Sequence, residues 1–237
     1  MKKILVLLSI LSFSIYSFSQ EKITGFGKLQ LGMSSDIIME IGYPIIKIKT
    51  PSAYINKVYK NTTSIKIFKF ISDTITFAKP KNDCYLDNRV EHYYIPFVSI
   101  TENIKLEGVE LVFFENKLIT IKCNSNSLLK EALDLKYGNS TFTTEEEKRE
   151  FVYTYTGNTI TKTDVTYTYE WATNSPNVTC IDRFMKFHNS KGEPLYLTYT
   201  KLHDSSYDEE LRISEKRIED RGNSKKTVST TDLLKGF

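Results

Sequence analysis

FVYTYTGNTITKTDVTYTYEW, residues 151–171, alternates apolar or aromatic residues with polar ones along most of its length. Successive side chains of an extended chain point to opposite faces, so Val165, Tyr167, Tyr169 and Trp171 share one face and Thr166, Thr168 and Glu170 the other. A period of two over this length predicts a long β-strand and sets the class as sheet-dominated. The composition agrees: Tyr (15) and Phe (14) are abundant and Pro (6) is scarce, which suits pleated, half-buried surfaces and not disorder.

The flanking segments extend the sheet. VTCIDRFMKFH (178–188), a turn over Asn189–Gly192 and PLYLTYTKL (194–202) predict a hairpin. VELVFFENKLITIKC (109–123) predicts another about Glu115-Asn116-Lys117. Further upstream IIKIKT, AYINKVYK, SIKIFKF and TITFAKP look strand-like, and LRISEKRI near the C-terminus predicts one more strand. STTDLLKGF predicts a last helical turn capped by Thr230 or Thr231.

Two short helices interrupt the strands. In LQLGMSSDIIMEIG (29–42), Ser34 or Ser35 can cap, Asp36 complements the helix dipole, and Ile37, Ile38 and Ile41 form the apolar stripe. Gly42 and then Pro44 end the helix after about two turns, too short to persist without a sheet to lie on. In NSLLKEALDLKYG (126–138) the same logic recurs: Ser125 or Ser127 as cap, Leu128, Leu129, Ala132, Leu133 and Leu135 as stripe, Gly138 as stop. The expected fold is therefore α+β, with antiparallel sheets each packed by a short capped helix, in two related units over 21–122 and 123–237.

Residues 1–20 carry Lys2 and Lys3, an apolar run and then small polar residues, the pattern of a signal peptide cleaved near residue 19 or 20. No cysteine lies near the cut, so a lipobox is absent, and the expected location is periplasmic or secreted, without stable membrane insertion. The chain has 32 Lys+Arg and 29 Asp+Glu; without the leader's two lysines the balance is 30 against 29, which argues against a nucleic-acid partner. Cys84, Cys123 and Cys180 match no metal or redox spacing and allow either one disulfide with a free thiol or three thiols.

Chemistry-bearing motifs are sparse. Of the three histidines, His92, His188 and His203, none sits in HExxH, no GxSxG occurs, and no cofactor motif is present, so no catalytic residue or cofactor is named. His203, Asp204 and Asp208, crowded in HDSSYDEE, are the candidate metal ligands. Asp87 and Glu91 would share a helix face if KNDCYLDNRVEHYY were helical, with Asp83 and His92 beside them. Tyr167, Tyr169, Trp171, Tyr196 and Tyr199 are the candidate binding residues, since aromatic side chains on a sheet face give large contact area at little entropic cost.

The run LQLGMSSDIIMEIG is similar to the Gly-Met-Ser/Thr, short helix, Gly motif of the β-lactamase-inhibitor-like repeat and of small outer-membrane assembly lipoproteins. LLKEALDLKYG, followed by a strand ending Tyr169-x-Trp171, resembles the second half of small exported bacterial proteins, the likeness covering about 60 of 237 residues. It implies helices layered on an antiparallel sheet and a protein-binding or envelope role without catalysis. The expected function is thus an exported non-catalytic module with a protein partner. The alternatives are a periplasmic hydrolase using a cation or carboxylates near Asp204 and Asp208, and a glycan-binding protein using the aromatic face.

Overall fold

The computed structural model describes residues 23–48, 65–71, 87–152, 157–173 and 175–220. The leader, Asp83, Cys84, AYINKVYK, TITFAKP and STTDLLKGF lie outside them. Among the described residues a small hairpin, β1 (Gly25–Phe26) and β2 (Leu29–Gln30), precedes helix α1 (Ile37–Glu40). Strands β3 (Ile45–Ile48), β4 (Ile67–Phe70), β5 (Val90–Ser99), β6 (Lys105–Phe114) and β7 (Lys117–Cys123) lead to helix α2 (Ser127–Tyr137). Four long strands follow, β8 (Thr141–Val152), β9 (Thr159–Trp171), β10 (Val178–His188) and β11 (Pro194–Asp204), and then helix α3 over 208–220.

Nine of these strands form one sheet in the order β3-β4-β5-β6-β7-β11-β10-β9-β8, antiparallel throughout except for the parallel pair β3 and β4. This corrects the expected α+β pair of related units. Of the described residues 53% are in strands and 19% are helical, and both halves of the chain share the single mixed sheet. The physical reason is an edge. After the β6–β7 hairpin closes, β7 still offers a row of backbone donors and acceptors, and Thr200–His203 of β11 pairs with Thr120–Cys123 there, fusing what would otherwise be two sheets.

One face of the central strands is covered by β1–β2, α1 and α2, burying Leu29, Ile38, Leu111, Ile121, Leu133 and Trp171 in one core. On the other face Leu211 of α3 packs with Val112, Phe114 and Ile119. The expected strand at LRISEKRI is thus a helix: Leu211 is buried and Ser214, Glu215 and Ile218 are half-buried, a helical spacing that a sheet surface can reward.

The helix termini also differ from the sequence reading. α1 is a single turn whose N-cap, Asp36, makes no capping hydrogen bond; instead Ser34 Oγ donates to Asp36 Oδ2. α2 is capped by Asn126, whose Oδ1 accepts from the amides of Leu128 and Leu129. Its buried stripe is Leu129, Leu133 and Tyr137, whereas Leu128 and Leu135 face solvent. The β6–β7 turn needs positive φ at both central residues and has it at Glu115 (47°) and Asn116 (64°). Asn116 Oδ1 then accepts from the Ser35 amide at 2.9 Å, tying the turn to the start of α1.

Cys123 and Cys180 are buried free thiols on the core face. Burial, reinforced by the Asp182 carboxylate, pushes each up to about 12, and only the thiolate reacts. Neither is expected to take up iodoacetamide near pH 8 in the folded protein, while both should in urea. Peptide mapping showing rapid native alkylation at either position would contradict their burial.

Candidate functional site

Strands β8 to β11 run beyond the layer of helices, and every residue from Thr141 to Glu150 of β8 is exposed. On the face that carries the core farther in, register aligns aromatic residues across all four strands: Phe142 opposite Tyr169, Tyr167 opposite Phe184, and Tyr196 one step along from Phe184. Phe142 lies 5.0 Å from Tyr169 and is stacked on Tyr167 at 6.0 Å and 16°, measured between ring centroids. Tyr167 to Phe184 is 5.9 Å and Phe184 to Tyr196 is 6.2 Å. The rings therefore form one continuous strip.

The strip is open to solvent, with Phe142 51%, Tyr167 38%, Phe184 36% and Tyr196 62% exposed. Contiguous exposed apolar surface is uncommon on soluble proteins and marks interaction sites. Its inner end is closed by Lys130 of α2, whose ammonium sits 3.1 Å from the Tyr169 ring centroid. Glu146 on β8 and Lys186 on β10 follow on the same face by register, giving a rim of both signs.

Of the sequence-derived binding residues, Tyr167, Tyr169 and Tyr196 come together in this strip. Trp171 does not: it is 1% exposed, under α2, and its Nε1–H donates to Asp134 Oδ1 at 2.8 Å. Tyr199 lies on the opposite face, where it lines a cavity. Sequence reasoning missed Phe142 and Phe184. Phe142 was hidden by the charged run after it, EEEKRE, which masks a strand pattern, and Phe184 by its dependence on cross-strand register.

Of the candidate metal ligands His203 and Asp208 come together, while Asp204 turns to its own local partner. His203 Nε2 is 3.0 Å from Asp208 Oδ2 and its Nδ1 is 2.7 Å from Thr120 Oγ1, while Asp204 Oδ1 accepts from the Ser206 amide. Among the described residues no three His, Cys, Asp or Glu groups are placed to hold an ion. Asp87 and Glu91 do not share a helix face, because Val90–Ser99 is a strand; Asp87 pairs with Arg89, and Glu91 with Lys69 and Tyr93.

Comparison with known proteins finds no match among protein-family models, curated proteins or solved structures. No helix of the described residues is long and apolar enough to cross a membrane.

Proposed function

We propose that this protein is an exported, non-catalytic binding module of the cell envelope or periplasm whose aromatic strip docks a protein partner. The observation that carries the reading is the exposed ladder Phe142–Tyr167–Phe184–Tyr196 across four strands. Protein interfaces concentrate their energy in aromatic anchors within a polar rim, and Lys130, Glu146 and Lys186 supply such a rim. A protein fits better than a glycan, because Phe142 and Tyr167 turn ring faces toward each other and the two phenylalanines offer a sugar no hydroxyl. Export rests on the leader-like residues 1–20.

The test is capture of partners from an envelope extract by the wild-type chain and by Phe184→Ser/Tyr196→Ser, with Leu195→Ser, outside the strip, as control. Truncating an anchor costs more than about 1 kcal/mol of binding, so a specific partner should lose about tenfold or more of its occupancy in the double variant alone. Equal capture by all three chains would refute the strip as the docking face. Retention by immobilised glycan, abolished in the same variant, would replace the protein reading with the glycan one.

A further inference from the structure

A cavity of about 480 Å³, within the size range of small-molecule sites, opens between the β1–β2 hairpin, the β5–β6 turn and α2. Gly27 at the tip of the hairpin has a φ of 59°, and a Cβ there would lie 2.7 Å from the Cβ of Ile100, so the hairpin rests directly on the β5–β6 turn. That turn is closed by its own bonds: the Ile100 amide donates to the Ile104 carbonyl at 3.0 Å, and the Ile104 amide to Thr101 Oγ1 at 3.0 Å. From the other side α2 presents its buried stripe, Leu129, Leu133 and Tyr137.

The stripe sets the shape. Leu129 and Tyr137 both line the cavity two helical turns apart, so it runs about 12 Å along α2. The hairpin and the turn add Phe26, Ile100 and Ile104, which makes the walls mainly hydrocarbon. The polar side chains of the hairpin are engaged with their own neighbours: Thr24 Oγ1 donates to Gln30 Oε1 at 2.6 Å, and Gln30 Nε2 donates to the Gly27 carbonyl. Among the described residues no carboxylate lines the cavity. An elongated apolar slot binds by taking hydrocarbon out of water, in proportion to the area buried, and an acidic group at its mouth meets no like charge in the lining.

We infer that this slot takes the hydrocarbon chain of a medium-length fatty acid, laid along α2 with its carboxylate at the mouth. The slot shares no residue with the aromatic strip and is independent of the docking proposed there.

The test is titration calorimetry of the purified chain with decanoic, octanoic and hexanoic acids, and with succinate as an anion that lacks the chain. Saturable one-to-one binding of decanoate and none of succinate is the expected result, with affinity falling about fourfold for each methylene removed, the contribution of one buried CH₂. Ala132→Trp, which sets an indole in the slot, should abolish binding, with an unchanged urea midpoint showing that the chain still folds. The chain-length series on the wild type decides the matter even if that variant does not fold. Phe184→Ser/Tyr196→Ser should bind decanoate as the wild type does, which separates the slot from the strip. No saturable heat from decanoate, an affinity independent of chain length, unaltered binding by a folded Ala132→Trp, or binding lost in Phe184→Ser/Tyr196→Ser would each overturn the assignment.

Discussion

Trp171→Ala is expected to lower the free energy of unfolding by about 3–5 kcal/mol, the usual loss for a fully buried tryptophan. The indole is 1% exposed in the core beside Cys180, its partner across β9 and β10, and its Nε1–H bond to Asp134 joins β9 to α2. Removing it leaves a cavity under the helix and strips Asp134 of a donor. Trp171→Phe keeps most of the volume and loses only the hydrogen bond, so it should cost about 1–2 kcal/mol. Urea unfolding followed by far-UV circular dichroism measures both; a loss below about 1 kcal/mol for the alanine variant would mean that the indole is not packed as described. Any binding lost by Trp171→Ala therefore reports damaged folding and not a missing contact.

Arg89→Met should also destabilise the fold, because it takes the charged partner from the buried Asp87 carboxylate and leaves it only the hydrogen bonds from the Ser214 side chain and the residue 89 amide. The Arg89 guanidinium donates to both oxygens of Asp87, reaches Glu115 in the β6–β7 turn and Glu210 in α3, and lies 4.7 Å from the Phe114 ring centroid. One side chain thereby fastens the start of β5, a turn and α3. Asp87, whose side chain is 2% exposed, is held at about 2 by the Arg89 hydrogen bonds, which outweigh its burial.

That shift sets the pH dependence. A folded-state value below the ordinary 3.8 means that the unfolded chain takes up the proton first. The contribution of the hydrogen bonds that hold Asp87 ionised, those of Arg89 first, is full above the unfolded value and is lost as pH falls toward 2. In Asp87→Asn/Arg89→Met this acid-labile component should vanish, and the double variant should cost less than the two single changes summed. An acid-unfolding profile for Arg89→Met that overlays the wild type would show that the pair is not what α3 depends on.

Much of this was legible in the sequence, and the misses have physical causes. Alternation gives β9 over 159–171, but Phe151 and Val152 of the same stretch end β8 and pair back with Ile160 and Thr159; the turn read as Glu115-Asn116-Lys117 is the two residues Glu115 and Asn116, with Lys117 opening β7, and the Gly138 stop stands where the residues put it. The fusion of two sheets into one was hidden because a sequence shows the faces of a strand and not its edges. LRISEKRI reads as alternating or helical with nearly equal ease, and Leu211 beneath the helix decided it. Within the site, Tyr196 and Tyr199 are three residues apart, an odd spacing that puts them on opposite faces of β11. Trp171 has the same parity as Tyr167 and Tyr169 yet is buried, because it lies at the end of β9 that passes under α2; parity chooses the face, and distance along the strand chooses core or solvent.

Among the described residues β8 has a strand neighbour on one side only, and its outer border carries Glu145, Glu146, Glu147, Lys148, Arg149 and Glu150 in unbroken succession. Because these charges project to both faces, a strand added there would find nothing dry to pack on, and charged edge strands of this kind resist sheet-to-sheet aggregation. The aromatic strip lies open beside a border that is water-loving. Growth into a polymer is discouraged along the rim, while association through the flat of the sheet stays open.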